Sequence, residues 1–364
     1  MNAAAKPLVL MMAGGTGGHV YPALAVAAQL IERGYQVEWV GTDRGLESRV
    51  VPAAGIKLHC LPMRGLRGKN LLYKLLGVFD LALASLLALW LVLRRAPGCV
   101  VGMGGYAAGP GGIAAWLLRK PVLIHEQNAV AGTTNRMLAP FAKKIMTGFP
   151  GAFAADVEFE VSGNPVRADL LRAANDCVYD FNGQRPLRLL VLGGSLGAQP
   201  INEVLPPVVA ALNADASVVE VWHQTGDAHA DLVRAAYGEQ PKVRVAPFIE
   251  AMHEAYAWAD LVVCRAGALT VAEVAVMGRP AILVPLPHAI DDHQSANARS
   301  LENAGGAILL PQRDMDKAAL ESLLRELMAT PSRLGDMAAA SRAAATPEAA
   351  NRVADCCEEL MHAG

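Results

Sequence analysis

The stretch that decides the fold is residues 8–31, which read LVLMMAGGTGGHVYPALAVAAQLI. The apolar run 8–12 predicts a buried strand. The apolar residues after the glycines recur at helical spacing, with Pro22 in the expected first turn. Gly34 then ends the helix, and residues 36–40 predict the next strand. A strand, a glycine-rich turn, a helix and a second strand form the opening unit of an α/β fold with a parallel sheet.

The glycine loop GGTGGH at 14–19 also predicts a ligand site. Glycines let the backbone approach a ligand closely, and a helix start offers unpaired N–H groups to an anion. His19 adds a group that can transfer protons near neutral pH. The loop is not Gly-x-Gly-x-x-Gly, and a tight turn with a histidine capping the helix would explain it by structure alone.

The composition indicates a chain of two domains with large apolar cores. Of its 364 residues 53% are hydrophobic and 18% charged, and the net charge is -2. This charge argues against a nucleic-acid partner, because no basic excess is present to neutralise phosphates. The six cysteines form no C-x-x-C pair, which is typical of reduced, buried thiols.

Residues 75–93 (LLGVFDLALASLLALWLVL) form an apolar segment of near membrane-spanning length. Asp80 interrupts this segment, Pro97 stops it, and a further buried strand follows at residues 99–102. We therefore expect a helix packed on the sheet, with a transmembrane span as the alternative.

The pattern of strand, loop and helix recurs along the chain, and the second half repeats the first. A boundary is expected at GNPVR (163–167), after which a strand at 187–192 leads into a second glycine loop, GGSLGA. The predicted architecture is therefore α/β, with two Rossmann-like lobes whose parallel sheets face each other across a deep cleft. The N-terminal lobe is expected to span residues 1–163 and to be completed by the C-terminal helix 346–364, and the C-terminal lobe to span 164–345.

Seven motifs in order over nearly the whole chain resemble one family. They are GGTGGH (14–19), GMGGY (102–106), HEQN (125–128), GNPVR (163–167), GGSLGA (193–198), RAGALTVAE (265–273) and HAIDDHQ (288–294). Together they resemble the UDP-N-acetylglucosamine:undecaprenyl-diphospho-muramoylpentapeptide N-acetylglucosaminyltransferase family, MurG. The resemblance implies the GT-B fold and transfer of GlcNAc from UDP-GlcNAc to the C4 hydroxyl of the muramoyl sugar of lipid I, giving lipid II for peptidoglycan. It further implies inversion at the anomeric carbon without a metal or cofactor, at the cytoplasmic face of the inner membrane.

An inverting displacement needs a base for the acceptor hydroxyl, and His19 is the residue expected to supply it. His125 and Glu126 are the alternatives, although they could equally be a hydrogen-bonded pair at a strand end. Further sugar or acceptor contacts are expected in the first lobe from Thr16, Gly17, Gly18 and Asn128, and less strongly from Tyr106 and Asn135.

The resemblance places the donor on the second lobe. It implies that Ser195 touches the diphosphate, Arg167 the nucleotide, and the backbone of Ile249 the uracil. Leu196 stands where many family members have Gln. Backbone contacts to sugar and phosphate are implied for Ala268, Leu269, Thr270, Val271 and Ala272, and contacts to GlcNAc hydroxyls for Gln294 and Asn297.

Glu273 has two competing interpretations. The resemblance has its carboxylate bind the ribose hydroxyls, whereas Thr270 and Glu273 also have the spacing of a capping box. A metal cluster on the nearby loop is the weaker hypothesis, because its four candidate ligands lie on one short loop with no further ligand set. These candidates are His288, Asp291, Asp292 and His293.

A lipid acceptor requires contact with a membrane, and an apolar patch with a basic rim would suit an anionic surface. The candidates lie near residues 71–93 and Trp116, and ordinary solvated lysines around a buried helix are the alternative. The basic residues are Lys69, Lys74, Arg94, Arg95, Lys143 and Lys144.

Three other functions remain open at this point. A UDP-GlcNAc 2-epimerase shares the fold and donor but needs no lipid. A nicotinamide-dependent dehydrogenase would need a Gly-x-Gly-x-x-Gly loop and an acidic residue after the next strand, where only Asp43 is available. A membrane-docked nucleotide binder would bind UDP without turnover.

Overall fold

The computed structural model describes residues 6–63, 71–194, 196–214, 218–240, 242–287 and 289–363, without the side chains of 71–78 and 290. The chain forms two compact units. Unit 1 is Met1–Arg167 with Thr346–Gly364, and unit 2 is Ala168–Ala345. The chain therefore passes between the units at Arg167, a few residues after the expected position, and again at Ala345.

Unit 1 is built on a parallel sheet of seven strands in the order β3-β2-β1-β4-β5-β6-β7. The strands are β1 (Leu8–Met12), β2 (Gln36–Gly41), β3 (Lys57–Cys60), β4 (Cys99–Gly102), β5 (Val122–Glu126), β6 (Lys144–Thr147) and β7 (Glu160–Val161). The helices between them are α1 (Gly17–Glu32), α2 (Glu47–Ala53), α3 (Leu71–Arg95), α4 (Ala108–Leu117) and α5 (Thr133–Leu138). All of β1, β4 and β5 is buried, as expected for strands covered by helices on both faces.

Unit 2 repeats this design with six parallel strands in the order β10-β9-β8-β11-β12-β13. Its strands are β8 (Leu187–Leu192), β9 (Val219–Gln224), β10 (Val243–Ala246), β11 (Leu261–Cys264), β12 (Ala281–Leu283) and β13 (Ala307–Leu309). Its helices are α6 (Ala168–Asp176), α7 (Gln199–Leu212), α8 (Ala230–Tyr237), α9 (Met252–Trp258), α10 (Ala268–Val276), α11 (His293–Asn303), α12 (Lys317–Ala329) and α13 (Pro331–Ala343). The predicted pair of Rossmann-like α/β units is confirmed.

The last helix, α14 (Ala349–His362), returns to unit 1 as expected and packs into its core. Val353 and Cys357 are fully buried there, in the same apolar cluster as β1 and α1. Arg33 at the end of α1 forms an ion pair of 2.6 Å with Asp355 of α14. The residues of α14 that complete the core of unit 1 are therefore separated in the sequence from the rest of that core by the whole of unit 2.

Helix α1 differs from the prediction at its start. It begins at Gly17, within the glycine loop, so Pro22 lies in its second turn and not in its first. The missing N–H of Pro22 removes one intrahelical hydrogen bond. The glycines make this early start possible because the loop tightens directly into the helix, with the N–H groups of His19 and Val20 both donating to the carbonyl of Thr16.

One face of helix α3 packs against the core of unit 1, and the opposite face is exposed to solvent. Small and aliphatic residues at Ala84, Ala88 and Leu91 are buried against the unit 1 core. On the opposite face the large side chains are exposed, and they include Phe79, Leu83, Leu86, Trp90 and Leu93. Among the residues that the structure describes, no helix has both the length and the apolar character needed to cross a membrane.

The expected basic rim beside α3 is only partly available. Arg95 donates from Nε to Glu38 of β2 at 2.8 Å, and Lys144 pairs with Glu160 at 3.1 Å. Arg94 lies over the ring of the exposed Trp90 at 5.1 Å, and Lys143 is exposed. Lys69 and the side chain of Lys74 lie outside the described residues.

Candidate active site

The loops after β1 and β4 meet at the carboxyl edge of the unit 1 sheet. β1 and β4 are neighbours from which the chain leaves in opposite directions, and such switch points are where doubly wound sheets bind ligands. Gly105, at a φ of 84°, lies so close to the carbonyl oxygen of Gly14 that a Cβ would not fit. A Cβ on Gly104 would lie 2.9 Å from the ring of His19. The two glycine loops thus hold His19 at the switch point.

His19 is the third residue of α1 and does not cap that helix. The N-cap is Thr16, whose exposed side chain makes no capping hydrogen bond. The half-buried ring of His19 instead bonds through Nδ1 to the Oε1 of Gln127, at 2.8 Å. The hypothesis of a capping histidine is therefore wrong, and the ring is held by a residue that follows β5.

His125 is part of β5 and is fully buried, so it cannot reach a substrate. Its Nε2 lies 2.9 Å from the carbonyl oxygen of Gly163, and its Nδ1 lies 3.1 Å from the Nε2 of Gln127. Burial lowers the pKa of His125 to about 4, so the ring is neutral at physiological pH. His125 thus supports Gln127 and is not a second base.

Glu126 is likewise buried, and its carboxylate holds the loop that follows β5 by hydrogen bonds. Its carboxylate accepts hydrogen bonds from the backbone N–H of Asn128 at 3.0 Å and of Gly132 at 3.0 Å. It also accepts from the side-chain amides of Asn128 at 3.2 Å and Asn135 at 2.8 Å. Asn135 is buried and only helps to hold this loop. Asn128 is half-exposed, so its polar side chain lies partly at the surface of the loop.

A buried carboxylate that the sequence did not reveal lies below the first glycine loop. Glu47, the first residue of α2, is fully buried. It accepts a hydrogen bond from the N–H of Gly15 at 2.9 Å and two from Thr42, at 3.0 Å from the backbone and 2.7 Å from the hydroxyl. Glu47 therefore fixes the loop 14–18 from beneath.

Arg167, the last residue of unit 1, lies over the ring of Tyr21 on α1, 5.4 Å from its centroid. Its guanidinium is therefore positioned by an aromatic side chain two residues after the first glycine loop.

In unit 2 the equivalent switch point lies between β8 and β11. The loop after β8 is tightly packed, because Gly197, at a φ of 78°, sits against the carbonyl oxygen of Thr225. Leu196 is exposed, and Ser195 lies outside the described residues. Ile249, in the loop after β10, is buried, which leaves only backbone groups for a ligand.

The loop after β11 opens α10, which begins at Ala268 with Gly267 as N-cap and no side-chain cap. Thr270 and Glu273 therefore lie inside the helix, and the capping-box interpretation is wrong. The buried carboxylate of Glu273 instead accepts a hydrogen bond of 3.1 Å from the hydroxyl of Tyr256. Without a side-chain cap, the first turn of α10 offers its N–H groups to an anion.

Two amides of α11 support the neighbouring loops. The amide of Asn297 is buried and donates to the carbonyl of Ala266 at 3.1 Å. The Oε1 of Gln294 accepts a hydrogen bond of 3.0 Å from the N–H of Leu286, so the NH₂ group of Gln294 points away from that N–H. Asn297 therefore shapes the loop before α10, and of these two amides Gln294 is the one with a group left for a sugar.

Next to Gln294, Asp291 and Asp292 both adopt positive φ, at 53° and 52°. Two consecutive non-glycine residues in this region are strained, and such strain is concentrated at functional loops. His288 lies outside the described residues. Among the described residues, which include Asp291, Asp292 and His293, no three His, Cys, Asp or Glu side chains are grouped in a way that could hold a metal ion.

Comparison with known proteins gives the family. The glycosyltransferase family 28 N-terminal domain matches residues 9–147, and the C-terminal domain of the same family matches residues 188–353. A relative from Stutzerimonas stutzeri (strain A1501), named UDP-N-acetylglucosamine--N-acetylmuramyl-(pentapeptide) pyrophosphoryl-undecaprenol N-acetylglucosamine transferase, is 49% identical over 97% of this chain and 99% of its own. The crystal structure of Acinetobacter baumannii MurG is 41% identical, with a TM-score of 0.80 over 97% of this chain and 99% of that one. The chain belongs to the MurG family.

The MurG family assignment separates the chain from a similar fold. A putative UDP-N-acetylglucosamine 2-epimerase from Listeria monocytogenes superposes with a TM-score of 0.69 over 99% of this chain and 98% of its own, at only 16% identity. A likeness at this identity shows a common fold and nothing about activity. The expected glycosyltransferase is therefore favoured over the epimerase.

Four of the seven MurG family motifs fall on the two switch points, in the loops after β1 and β4 and after β8 and β11, and the other three follow β5, β7 and β12. In unit 1 the structure brings together His19, Gly17, Gly18, Thr16 and the loop that carries Asn128. In unit 2 it places Glu273 on the helix that begins with Ala268–Ala272. Glu47, Gln127 and Tyr256 were missed, because each acts through a side-chain contact that no local spacing reports.

Proposed function

We propose that this protein transfers GlcNAc from UDP-GlcNAc to the C4 hydroxyl of the muramoyl-pentapeptide of undecaprenyl-linked lipid I, forming lipid II. The observation that carries this proposal is the 49% identity, along almost the full length of both chains, to relatives that bear that activity in their names. The placement of the family motifs at the strand ends of both sheets supports it.

For catalysis we assign the base to His19. Its Nε2 takes the proton of the acceptor hydroxyl while that oxygen attacks the anomeric carbon. The bond from this carbon to the diphosphate breaks, and UDP leaves with the electron pair. A single in-line displacement of this kind inverts the anomeric configuration. The loops at Thr16–Gly18 and Asn128 supply hydrogen-bonding groups beside the base.

The donor is assigned to unit 2. The N–H groups of Ala268, Leu269 and Thr270 in the uncapped first turn of α10 suit the diphosphate, and the carboxylate of Glu273 suits the ribose hydroxyls. Ser195, Arg167, Ile249 and Gln294 complete the proposed contacts to the diphosphate, nucleotide, uracil and sugar. In this proposal, the leaving-group charge is stabilised by helix N–H groups and hydroxyls, without a metal or cofactor.

The test is a transfer assay with the purified chain, UDP-GlcNAc labelled in the sugar, and a short-chain lipid I analogue. We expect a labelled disaccharide lipid with a β linkage and one UDP released per transfer. A parallel reaction without acceptor is the control. Formation of UDP-ManNAc in that reaction, or UDP binding without transfer, would overturn the proposal in favour of an epimerase or a nucleotide-binding protein.

We further propose that the exposed face of α3 docks on the anionic inner-membrane surface from the cytoplasmic side. Phe79, Leu86 and Leu93 are exposed by 68%, 65% and 66%, although large apolar side chains are usually covered. They recur every seven residues, so they form one stripe along the helix. Arg94 beside this stripe adds positive charge.

The membrane proposal predicts that replacing Phe79, Leu86 and Leu93 with Ser abolishes co-sedimentation with vesicles containing phosphatidylglycerol. The folded state should tolerate this change, because these side chains are already in water. Leu232 on α8 of unit 2 is 72% exposed, so Leu232→Ser is the matched control and should leave vesicle binding intact. Equal binding by the triple variant and the wild type would eliminate α3 as the docking surface.

A further inference from the structure

A line of three side chains leads from the interior of unit 1 to His19. It runs from the carbonyl oxygen of Gly163 through His125 and Gln127 to His19, with atom separations of 2.9, 3.1 and 2.8 Å. His125 and Gln127 are buried. The line therefore begins at a backbone group that can only accept a hydrogen bond and ends at the residue assigned as base.

The direction of every hydrogen bond in this line follows from that first acceptor. Because the carbonyl of Gly163 only accepts, the Nε2 of His125 must carry a proton. The buried ring is neutral at physiological pH, so its Nδ1 must be the acceptor. The Nε2 of Gln127 donates to that Nδ1.

The orientation of the Gln127 amide has a second, independent support. Its Nε2 also lies 3.1 Å from the backbone carbonyl oxygen of His125. Turning the amide over would place its oxygen against this carbonyl oxygen, where no proton is available. The Oε1 of Gln127 therefore faces His19, and an amide oxygen only accepts.

From this geometry we propose that Gln127 is a positioning residue that fixes the tautomer of His19. The Nδ1 of His19 must carry the proton that Gln127 accepts, so the lone pair of the neutral ring resides on Nε2. That is the nitrogen that takes the acceptor proton in the proposed function, on which this inference rests. When Nε2 gains the proton, the Nδ1–H bond to Gln127 becomes charge-assisted and stronger.

Gln127→Met tests the proposal, because Met keeps the length of the side chain and removes both the acceptor and the donor. We expect kcat to fall about 10- to 1000-fold, which is part of the roughly 100- to 10,000-fold that a positioned base contributes. The KM for UDP-GlcNAc should stay within about 2-fold, since the donor is assigned to unit 2. An unchanged kcat in Gln127→Met, beside a large loss in His19→Ala, would overturn the inference and leave the proposed function standing.

Nitrogen NMR of the histidine-labelled protein gives a readout that does not depend on activity. In the wild type at neutral pH, His19 should show a protonated Nδ1 and a bare Nε2, with its signals assigned by their loss in His19→Gln. In Gln127→Met this preference should disappear. His125 is the internal control, since Gly163 keeps the proton on its Nε2 in both proteins. A wild-type His19 with its proton on Nε2 would refute the proposal even if Gln127→Met failed to fold.

Discussion

His19, the proposed base, has a restrained position. Gly104 limits the space beside its ring, and Gln127 holds one nitrogen. We predict that His19→Ala lowers kcat about 100- to 10,000-fold, the usual contribution of a positioned base, while the Kd for UDP remains unchanged. Calorimetric titration with UDP and single-turnover assays would measure the two quantities. A variant with full turnover would show that another group takes the proton.

Glu273 allows a test of the proposed nucleotide site at one carboxylate. Because α10 begins five residues before it, Glu273 does not cap the helix, and Glu273→Gln should leave the melting temperature nearly unchanged. Loss of a charged hydrogen bond of about 1.5–3 kcal/mol should raise the Kd for UDP about 10- to 150-fold. Tyr256→Phe, which removes only the hydroxyl that orients this carboxylate, should have a smaller effect of the same sign. Unchanged UDP affinity together with a lower melting temperature would assign Glu273 a purely structural role.

Candidate site residues could be singled out from the sequence where a motif contains them, whereas the distant contacts that position them could not. His19 and Glu273 were singled out on their motifs. Gln127 stands in one of those motifs, but its bond to His19 spans 108 residues of sequence and leaves no local pattern. Glu47 likewise stands in a stretch of sequence that is typical of an exposed helix start, and only the fold shows that it is buried beneath Gly15.

At the level of elements, the close contact between the loops after β1 and β4 has a measurable consequence. Gly34→Ala and Gly105→Ala both place a side chain at a φ near +85°, which costs about 1–2 kcal/mol. At Gly34 nothing lies within 4 Å, whereas at Gly105 the new Cβ would collide with Gly14. We predict a clearly larger fall in melting temperature for Gly105→Ala, together with a loss of turnover. Equal effects of the two variants would show that the loops can separate without penalty.

Three strands were predictable because their apolar residues lead into a glycine-rich turn. The strands β1, β4 and β8 have the predicted bounds. The short strands β3 and β7 gave no signal, since KLHC and EV contain as many polar as apolar residues and depend on a neighbouring strand for their conformation. The start of α1 was misplaced because glycines normally disfavour a helix, and here a backbone contact outweighs that preference.

At the level of the whole molecule, each unit contains a buried neutral histidine, and this makes both units sensitive to acid. Burial lowers the pKa of His125 in unit 1 to about 4 and that of His223 in unit 2 to about 3, well below the value of about 6.5 in an unfolded chain. Between these values the unfolded state binds the additional proton. The stabilisation is therefore complete above about pH 6.5 and is lost as the pH falls toward the folded-state values.

We predict that the free energy of unfolding falls by about 1 kcal/mol per pH unit and per histidine between pH 6.5 and pH 5.5. Denaturant titrations at several pH values would measure this slope. His125→Gln should remove one proton's contribution to the pH dependence of unfolding of unit 1. His223→Gln should do the same for unit 2. A stability that does not change over this range in the wild type would contradict the assigned burial of both rings.

Helix α14 has a consequence for the order in which the molecule is made. A ribosome releases β1 through β7 first, but Val353 and Cys357, which complete their apolar cluster, emerge only after all of unit 2 has been synthesised. During translation, the apolar residues of α1 that α14 later covers therefore stay exposed. They remain so for the time needed to make some 180 further residues, the length of Ala168–Ala345. Chaperones that shield apolar surface on growing chains would find their binding site there.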